Sequence, residues 1–375
     1  MNFAKLDAFM NGMPDRGFPG CELAVTVDGK TVYHRCVGYS DVEKTRPANE
    51  NDLYWIFSCT KVITCLAAMR LLEEGKLSLT DPVSKYLPAY ENMQVIEKDK
   101  TVRPAKTVMT VEHLFTMTGG MTYDVKVDKI AQMAAINANT VQVCSFMAND
   151  PLIFDPGTHY KYSLCHDVLA AVVEVASGVR FSDYVNEIFF KPLGLTNIGF
   201  HPNEEQKDRF TAMYRCATGT RKITPIPNDN SYAITPDYDS GGAGLFSNVT
   251  DYLKVISVIA CGGTAPDGTH FLKPETIRMM QENRLCDDAL NDFVTTRLFG
   301  YGWGLCGRVQ MEPSHSLSLS PKGEVGWDGA AAAFSMIDPE NRVALYFGTH
   351  VRGYQYAYHV VHPTIRNLVY EALSE

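Results

Sequence analysis

The pattern of apolar and polar positions predicts strands near both ends of the chain. Residues 21–27 and 30–38 are rich in Val, Thr and Tyr and flank an Asp-Gly pair, which is favoured in two-residue turns, so they predict a hairpin. Residues 332–337 and 342–349 have the same character on either side of a second turn. Because one strand pair comes from each end, we expect the two termini to build one sheet.

Helical periodicity dominates the rest of the chain, and strand signals are few between residues 81 and 221. The most apolar run, 58–74, contains neither Gly nor Pro, and its apolar residues cover nearly the whole helix circumference. This pattern predicts a buried helix with Ser58 at its N-cap or in its first turn. Further helical patterns occupy residues 3–10, 168–176, 181–190, 249–259 and 357–373.

These elements together predict an α/β (α+β) fold. An antiparallel sheet formed by the N- and C-terminal segments would be flanked by helices and interrupted by an inserted, mainly helical region. We expect a sheet domain of residues 1–80 and 225–375 and a helical domain of residues 81–224, with the active site between them. No internal repeat or low-complexity linker suggests another arrangement.

Composition and charge narrow the functional classes. The 375 residues are 45% hydrophobic, and 34 basic against 43 acidic side chains give a net charge of −9. A negative field repels phosphate backbones and anionic lipid, so we expect neither nucleic acid nor a membrane surface as a partner. No apolar run approaches the roughly 20 residues of a spanning helix. The N-terminus shows no basic segment followed by an apolar one, so the expected location is the cytoplasm.

We predict neither a metal nor an organic cofactor from the sequence. The ten cysteines are scattered without a CxxC pair, which is typical of free thiols in a reducing compartment. His359 and His362 share one helix face but have no third ligand nearby in the sequence. Residues 302–307 fit the pattern GxGxxG, yet no helix is predicted after them, so a dinucleotide site is not expected.

The strongest candidate chemistry is the tetrapeptide Ser58-Cys59-Thr60-Lys61. Residues three apart on a helix share a face, so the Lys61 amine can lie over the Ser58 hydroxyl. The helix N-terminus favours an oxyanion beside the serine, and burial of the lysine favours the neutral amine that accepts a proton. The residues themselves also allow an N-cap serine and a lysine whose amine reaches the surface.

A second candidate is the loop 154–163, which precedes an apolar helix and carries Tyr160 and Tyr162. A loop tyrosine can shuttle a proton if cationic neighbours lie close to it. Taken alone, two tyrosines in an aromatic-rich loop are more often packing residues.

With both candidates in place, the chain resembles the serine β-lactamase and penicillin-binding-protein superfamily, specifically its class C-like branch. Family VIII carboxylesterases, which the chain resembles, and related acyltransferases belong to that branch. The resemblance is an ordered series that covers most of the chain. Besides S-x-x-K at 58–61, it comprises segments similar to LLTHTSGL at 114–121, FxPGxxxxYS at 154–163, EPLGM at 191–195, GGGGL at 241–245 and the K-T-G or W-G-G position at 326–329.

The resemblance implies acyl transfer through a covalent intermediate, without a cofactor. Ser58 would be the nucleophile, and Lys61 together with Tyr162 would move its proton; the spacing within the family's tyrosine motif selects Tyr162 over Tyr160. Which of the two is the primary base stays open. The backbone amides of Ser58 and Ala330 would form the oxyanion hole.

Departures from the family pattern indicate the substrate class. Leu164 stands where β-lactamases of this branch have an asparagine, and Trp327 replaces the K-T-G lysine that binds substrate carboxylates. Asp328 beside it is expected to repel a carboxylate. Together with Gly329, these residues are pocket candidates. Trp327, Tyr123 and Trp303 are candidates for an aromatic acyl pocket, with core packing as the equally weighted alternative for Tyr123 and Trp303.

We therefore predict a serine hydrolase, specifically a carboxylesterase that acts on small or medium acyl esters. A small-molecule ester is the expected partner, and no oligomeric state is predicted. An amidase or D-aminopeptidase, a weak β-lactamase and an acyltransferase are the enzymatic alternatives. An inactive binding member of the fold is the non-enzymatic alternative.

Overall fold

The computed structural model of the chain describes residues 1–124, 127–295 and 298–375. The α-helices, numbered α1 to α13 in chain order, are Ala4–Asn11, Thr60–Glu73, Val111–Phe115, Val127–Ala135, Thr140–Met147, Cys165–Ser177, Phe181–Val185, Glu204–Lys207, Val249–Ala260, Pro274–Met280, Asp287–Val294, Pro313–Ser316 and His362–Ser374. The strands, β1 to β15, are Gly20–Val27, Lys30–Gly38, Tyr54–Trp55, Gln94–Ile96, Val102–Pro104, Ile198–Gly199, Met213–Cys216, Ile223–Ile226, Phe246–Ser247, Tyr301–Gly304, Gly307–Gln310, Val325–Gly326, Phe334–Asp338, Val343–Thr349 and Val351–Arg352.

The main sheet joins the two ends of the chain, as the sequence predicted. Its seven strands follow the order β10-β11-β12-β13-β14-β1-β2, and every neighbouring pair is antiparallel. The N-terminal hairpin β1–β2 is attached through β1 to β14, where Leu23 pairs with Phe347. This topology confirms the predicted fold class and leaves β2 at one edge of the sheet.

Helices cover both faces of the sheet. Leu23 and Val25 of β1 pack in one cluster with residues of α1 and α13, whereas Ala24 belongs to the cluster that includes α9. Successive strand residues point to opposite faces. Consequently residues 21–26 are buried without interruption, because both faces of the strand are covered.

Helix α2 lies in the interior, as its all-round apolar pattern predicted. It packs against α6, which in turn packs against α5. Among its buried residues are two polar ones with a clear role, Lys61 and Thr64, which both hydrogen-bond to carbonyls of the glycine-rich turn at 241–242. The buried helix thus carries its polar groups toward one point, the candidate site.

The structure differs from the sequence-based elements in detail. The predicted helix 181–190 is α7 followed by a π-turn at Asn186–Phe190, and the last predicted helix begins with a π-turn at Ala357–Val361 before α13. Strands β7 and β8 form a small sheet with β15. The division into domains at 80/81 and 224/225 stays a prediction. In the described part of the chain, no helix combines the length and apolar character needed to cross a bilayer.

Candidate active site

A tight turn places the predicted nucleophile. Phe57–Cys59 form a single 3-10 turn that runs directly into α2. Phe57 has a φ of 45°, which is unusual for a residue other than glycine, and its buried ring is covered by the guanidinium of Arg352 at 5.1 Å. Such backbone strain persists only where packing enforces it. The turn leaves Ser58 8% exposed, on the wall of a cavity.

Lys61 is completely buried, and its amine makes three hydrogen bonds. Its Nζ lies 3.2 Å from Ser58 Oγ, 2.9 Å from Tyr123 Oη and 2.7 Å from the carbonyl oxygen of Gly242. An ammonium would donate in all three contacts. A neutral amine has two N–H groups, which fit Tyr123 and Gly242, and its lone pair would then face the serine hydroxyl.

Tyr123 therefore lies beside the lysine, a position that the sequence did not predict. Burial raises the pKa of its phenol well above the usual value, and neighbouring Tyr162 adds to the effect. The phenol consequently stays protonated at neutral pH. The one sequence signal was its place just after the segment 114–121, which belongs to the resemblance.

Tyr162 stands on the cavity wall, and its hydroxyl accepts a hydrogen bond of 2.8 Å from the indole N–H of Trp327. The Lys61 amine lies 4.7 Å from the centre of the Tyr162 ring. The rings of Tyr162 and Trp327 also pack together, with centroids 5.4 Å apart. The structure thus brings together Ser58, Lys61, Tyr162 and Trp327.

The segment after β12 lies close to the nucleophile turn, by which we mean residues 56–59 around Ser58. A Cβ on Gly329 would lie 2.5 Å from the carbonyl oxygen of Ile56, so only glycine fits there without a shift. The Gly329 amide donates to Ala333 and its carbonyl accepts from the Tyr358 hydroxyl. Among the described residues, the Ala330 amide has no hydrogen-bond partner. It is a free donor on the wall of the same cavity as Ser58.

The glycine-rich turn is shaped by close contact with α6. A Cβ on Gly241 would lie 2.5 Å from both the Ala170 methyl and the His166 carbonyl oxygen. Because the turn sits this close to the helix, its carbonyls reach into the interior and meet Lys61 and Thr64. The sequence identified the turn as a family segment but assigned no role to its carbonyls.

The cavity beside Ser58 has a volume of about 770 Å³. Its wall includes the predicted pocket residues Trp327, Asp328 and Gly329. The other lining residues are Tyr160, Tyr162, Leu298, Phe299, Tyr301, Arg308, His315, Ser316, Leu317, Ala330, Gln355, Tyr358, His359, His362, Pro363, Thr364, Arg366 and Asn367.

Three other pocket candidates do not line this cavity. Leu164 precedes α6 and faces a separate small hollow with Met121 and Leu152, because the chain turns inward there to start the helix. Trp303 is fully buried behind Trp327, with ring centroids 4.5 Å apart. Tyr123 contacts Lys61 instead of the cavity space.

Asp328 is not an isolated negative charge, contrary to the expectation. Burial alone would raise the pKa of its carboxyl, but the guanidinium of Arg308 and the imidazole of His362 lower it to about 2. Arg308 lies 3.4 Å from both Asp328 and Glu324, and Arg366 lies 3.3 Å from Glu324. Two arginines and two carboxylates thus balance, and little field remains to repel a substrate carboxylate.

His362 and the cysteines Cys59 and Cys65 near the site have structural partners. His362 stacks on Phe334 and its Nε2 donates to the carbonyl of Ala332, while His359 is exposed on the cavity wall. Cys59 and Cys65 are buried, and all ten cysteines are free thiols.

Comparisons with known proteins identify the family and the fold of the chain. The family described as Beta-lactamase matches residues 4–356. Esterase EstB of Burkholderia gladioli is 29% identical over 357 residues, covering 87% of this chain and 84% of EstB, and the acyltransferase calJ of Penicillium decumbens is 26% identical over 359 residues, covering 88% and 83%. The solved structure of EstCE1, described as a hydrolase with promiscuous acyltransferase activity, superposes with a TM-score of 0.81 at 23% identity, and the match covers 98% of both chains.

Proposed function

The chain belongs to the beta-lactamase family and has its serine-hydrolase fold, and within that family we propose that it is a carboxylesterase acting through an acyl-enzyme on Ser58. The observation that carries the proposal is the contact of 3.2 Å between Lys61 Nζ and Ser58 Oγ. Lys61 is buried from water, whereas Ser58 lines the cavity. A desolvated amine next to a serine hydroxyl is the arrangement that activates a nucleophile.

The first half of the reaction forms the acyl-enzyme. Ser58 Oγ forms a bond to the ester carbonyl carbon while its proton passes to the lone pair of Lys61, whose two N–H groups stay bound to Gly242 and Tyr123. The carbonyl oxygen becomes an oxyanion, which the amides of Ser58 and Ala330 stabilise. Collapse of this intermediate breaks the bond to the alcohol oxygen, and the alcohol leaves with a proton from Tyr162 or Lys61.

The second half reverses the roles. A water molecule attacks the acyl carbon and gives up its proton to the Lys61–Tyr162 pair, and the second intermediate expels Ser58 Oγ, which regains its proton. Tyr162 suits this exchange because its hydroxyl is fixed by the Trp327 indole and its ring lies against the Lys61 amine. Proton transfer by such positioned groups typically contributes 10²–10⁴-fold to the rate.

Charge and shape favour esters over β-lactams and peptides. Trp327 supplies an indole where a substrate carboxylate would need a cation, and its N–H is already bound to Tyr162. Arg308 and Arg366, the arginines of the cavity wall, are each paired with a carboxylate. A substrate with a carboxylate beside the reacting carbonyl would therefore lose its hydration without gaining an ion pair. Esters that are neutral near the carbonyl avoid this penalty.

An acyltransferase is the second candidate, and the relation to calJ favours it. The same acyl-enzyme would pass its acyl group to an alcohol instead of water. Turnover of p-nitrophenyl butyrate in the presence of a primary alcohol distinguishes the two: a hydrolase releases mainly butyrate, and a transferase forms mainly the new ester.

The test is a comparison of p-nitrophenyl butyrate with nitrocefin, together with fluorophosphonate labelling. We expect the ester to be the better substrate by kcat/KM and the label to be lost in Ser58→Ala. A higher kcat/KM for nitrocefin would contradict the esterase assignment. A wild-type chain that takes no label and hydrolyses neither compound would instead be a binding member of the fold.

A further inference from the structure

Glu22, His34 and Cys36 form a cluster of three potential metal ligands far from Ser58. Glu22 lies on β1 directly opposite Cys36 on β2, and His34 is two residues before Cys36, so all three side chains point to the same face of the sheet. One ligand atom from each residue lies within 4.8 Å of the other two. Among the described residues, no other group of three His, Cys, Asp or Glu meets this condition.

The environment of Glu22 distinguishes the cluster from an ordinary ion pair. Glu22 is completely buried, and its Oε1 lies 2.7 Å from His34 Nε2, but its Oε2 is buried without any hydrogen-bond partner. Buried carboxylate oxygens without a partner are rare, because desolvation is not compensated. The orphaned oxygen belongs to the carboxylate that His34 and Cys36 surround, and a cation bound there would satisfy it.

We propose that Glu22, His34 and Cys36 bind one Zn²⁺ ion at the edge of the main sheet. Carboxylate oxygen, imidazole nitrogen and thiolate sulfur are the three donor types that zinc takes in proteins, whereas Mg²⁺ and Ca²⁺ take oxygen ligands. Zinc bonds of about 2.0–2.3 Å place tetrahedral ligand atoms about 3.4 Å apart. The present separations, 2.7 Å from Glu22 to His34 and 3.9 Å from His34 to Cys36, lie on either side of that value.

Zinc binding displaces two protons. The Cys36 thiol releases its proton to solvent as the sulfur bonds to zinc, and the proton between Glu22 Oε1 and His34 Nε2 also leaves for solvent, so that both atoms can bind the ion. The side chain of His34 is 26% exposed, so solvent reaches the site and a water molecule can fill the fourth position.

The site is separate from the catalytic region. Strand β12, next to Ala330, and strand β2 are four positions apart in the sheet, which corresponds to about 19 Å at the usual strand spacing. Zinc would join the edge strand β2 to β1 and stabilise the hairpin, because a ligand that binds only the folded state shifts the folding equilibrium. We expect no direct part in ester hydrolysis.

Metal content and cobalt spectra test the site. Chelator-stripped full-length protein is titrated with Zn²⁺ and, separately, with Co²⁺, and compared with Glu22→Gln, Cys36→Ser and the control Cys286→Ser, which changes an exposed cysteine on another part of the chain. We expect one Zn²⁺ per chain, a thiolate-to-cobalt charge-transfer band, at least about a hundredfold weaker binding in the first two variants, and unchanged binding in the control.

A measurement on the wild-type chain tests the site even where a variant fails to fold. Cys36 is alkylated with iodoacetamide with and without Zn²⁺, and the modified peptide is quantified by mass spectrometry. Protection of Cys36 by Zn²⁺ supports the site. No stoichiometric zinc binding by the wild type, binding that persists in Cys36→Ser, or a cobalt complex without a thiolate band would overturn it.

Discussion

At the residue scale, the roles of Lys61 and Tyr162 can be separated from that of Ser58. Lys61→Ala removes the group that contacts the nucleophile, and Tyr162→Phe removes the hydroxyl that Trp327 holds. We expect each change to lower kcat by about a hundredfold or more, the usual scale for an acid–base group. Steady-state kinetics with p-nitrophenyl butyrate measures the effect. Near-wild-type turnover of Tyr162→Phe would show that another hydroxyl returns the proton.

Tyr123 is the obvious other hydroxyl, and its contact with Lys61 makes a distinct prediction. Because its phenol stays protonated and lies 2.9 Å from the lysine amine, we expect it to position Lys61 without transferring the proton. Tyr123→Phe should lower kcat by about tenfold, less than Tyr162→Phe, and leave KM unchanged. A loss equal to or larger than that of Tyr162→Phe would exchange the roles of the two tyrosines.

The sequence predicted several residues of the candidate site, but it did not predict the contacts between them. Ser58 and Lys61 are three residues apart, so helical geometry alone brings them together. The contacts of Lys61 with Tyr123 and Gly242 span 62 and 181 residues. The pairing of Asp328 with Arg308 likewise depends on the antiparallel register of β11 and β12. Local patterns carry no information about such partners. For this reason the sequence predicted that Asp328 repels a substrate carboxylate and did not predict that Arg308 offsets its charge.

At the element scale, the contact between the segment after β12 and the nucleophile turn depends on Gly329. An added methyl group would meet the Ile56 carbonyl oxygen at 2.5 Å and push the Ala330 amide away from the oxyanion. We expect Gly329→Ala to lower kcat/KM by about tenfold to a hundredfold.

The matched control for that change is Gly199→Ala. Its added Cβ would make only ordinary contact with the Phe246 ring, at 3.4 Å. Kinetics and the thermal midpoint are measured for both variants. Equal activity of the two variants would show that the 329–330 segment does not set the oxyanion geometry.

Element prediction succeeded where patterns are local. The hairpin 20–38 and helix α2 followed from turn residues and all-round apolarity. The small sheet that joins β7 and β8 to β15 was missed, because its strands are short and one partner lies more than a hundred residues away. The π-turn at Ala357–Val361 also has no signature in the apolar pattern that would distinguish it from α-helix.

At the scale of the whole molecule, His350 joins distant segments. Its Nε2 accepts from the Trp55 amide, three residues before Ser58, and its Nδ1 contacts Thr211. Burial lowers the pKa of His350 to about 4. The unfolded chain, with an ordinary value near 6.5, therefore binds a proton that the folded chain excludes between these pH values.

This difference predicts how His350 affects the free energy of unfolding. Its stabilising contribution is fully present above about pH 6.5 and is lost progressively as the pH drops toward 4. For His350 alone, the loss between pH 7 and pH 5 should be about 2 kcal/mol. Urea unfolding at the two pH values measures it in the wild type, in His350→Gln and in the exposed-histidine control His270→Gln. We expect a smaller pH dependence only in His350→Gln, and an unchanged dependence in that variant would contradict the assignment.

The central claim is that Ser58 carries the acyl group during turnover of an ester. Rapid acid quenching of the enzyme with excess p-nitrophenyl butyrate, followed by peptide mass spectrometry, observes that group directly. We predict one butyryl adduct per chain, located on Ser58 and absent from Ser58→Ala, which should also lose turnover. An adduct on any other residue, or full ester hydrolysis by Ser58→Ala, would contradict the account.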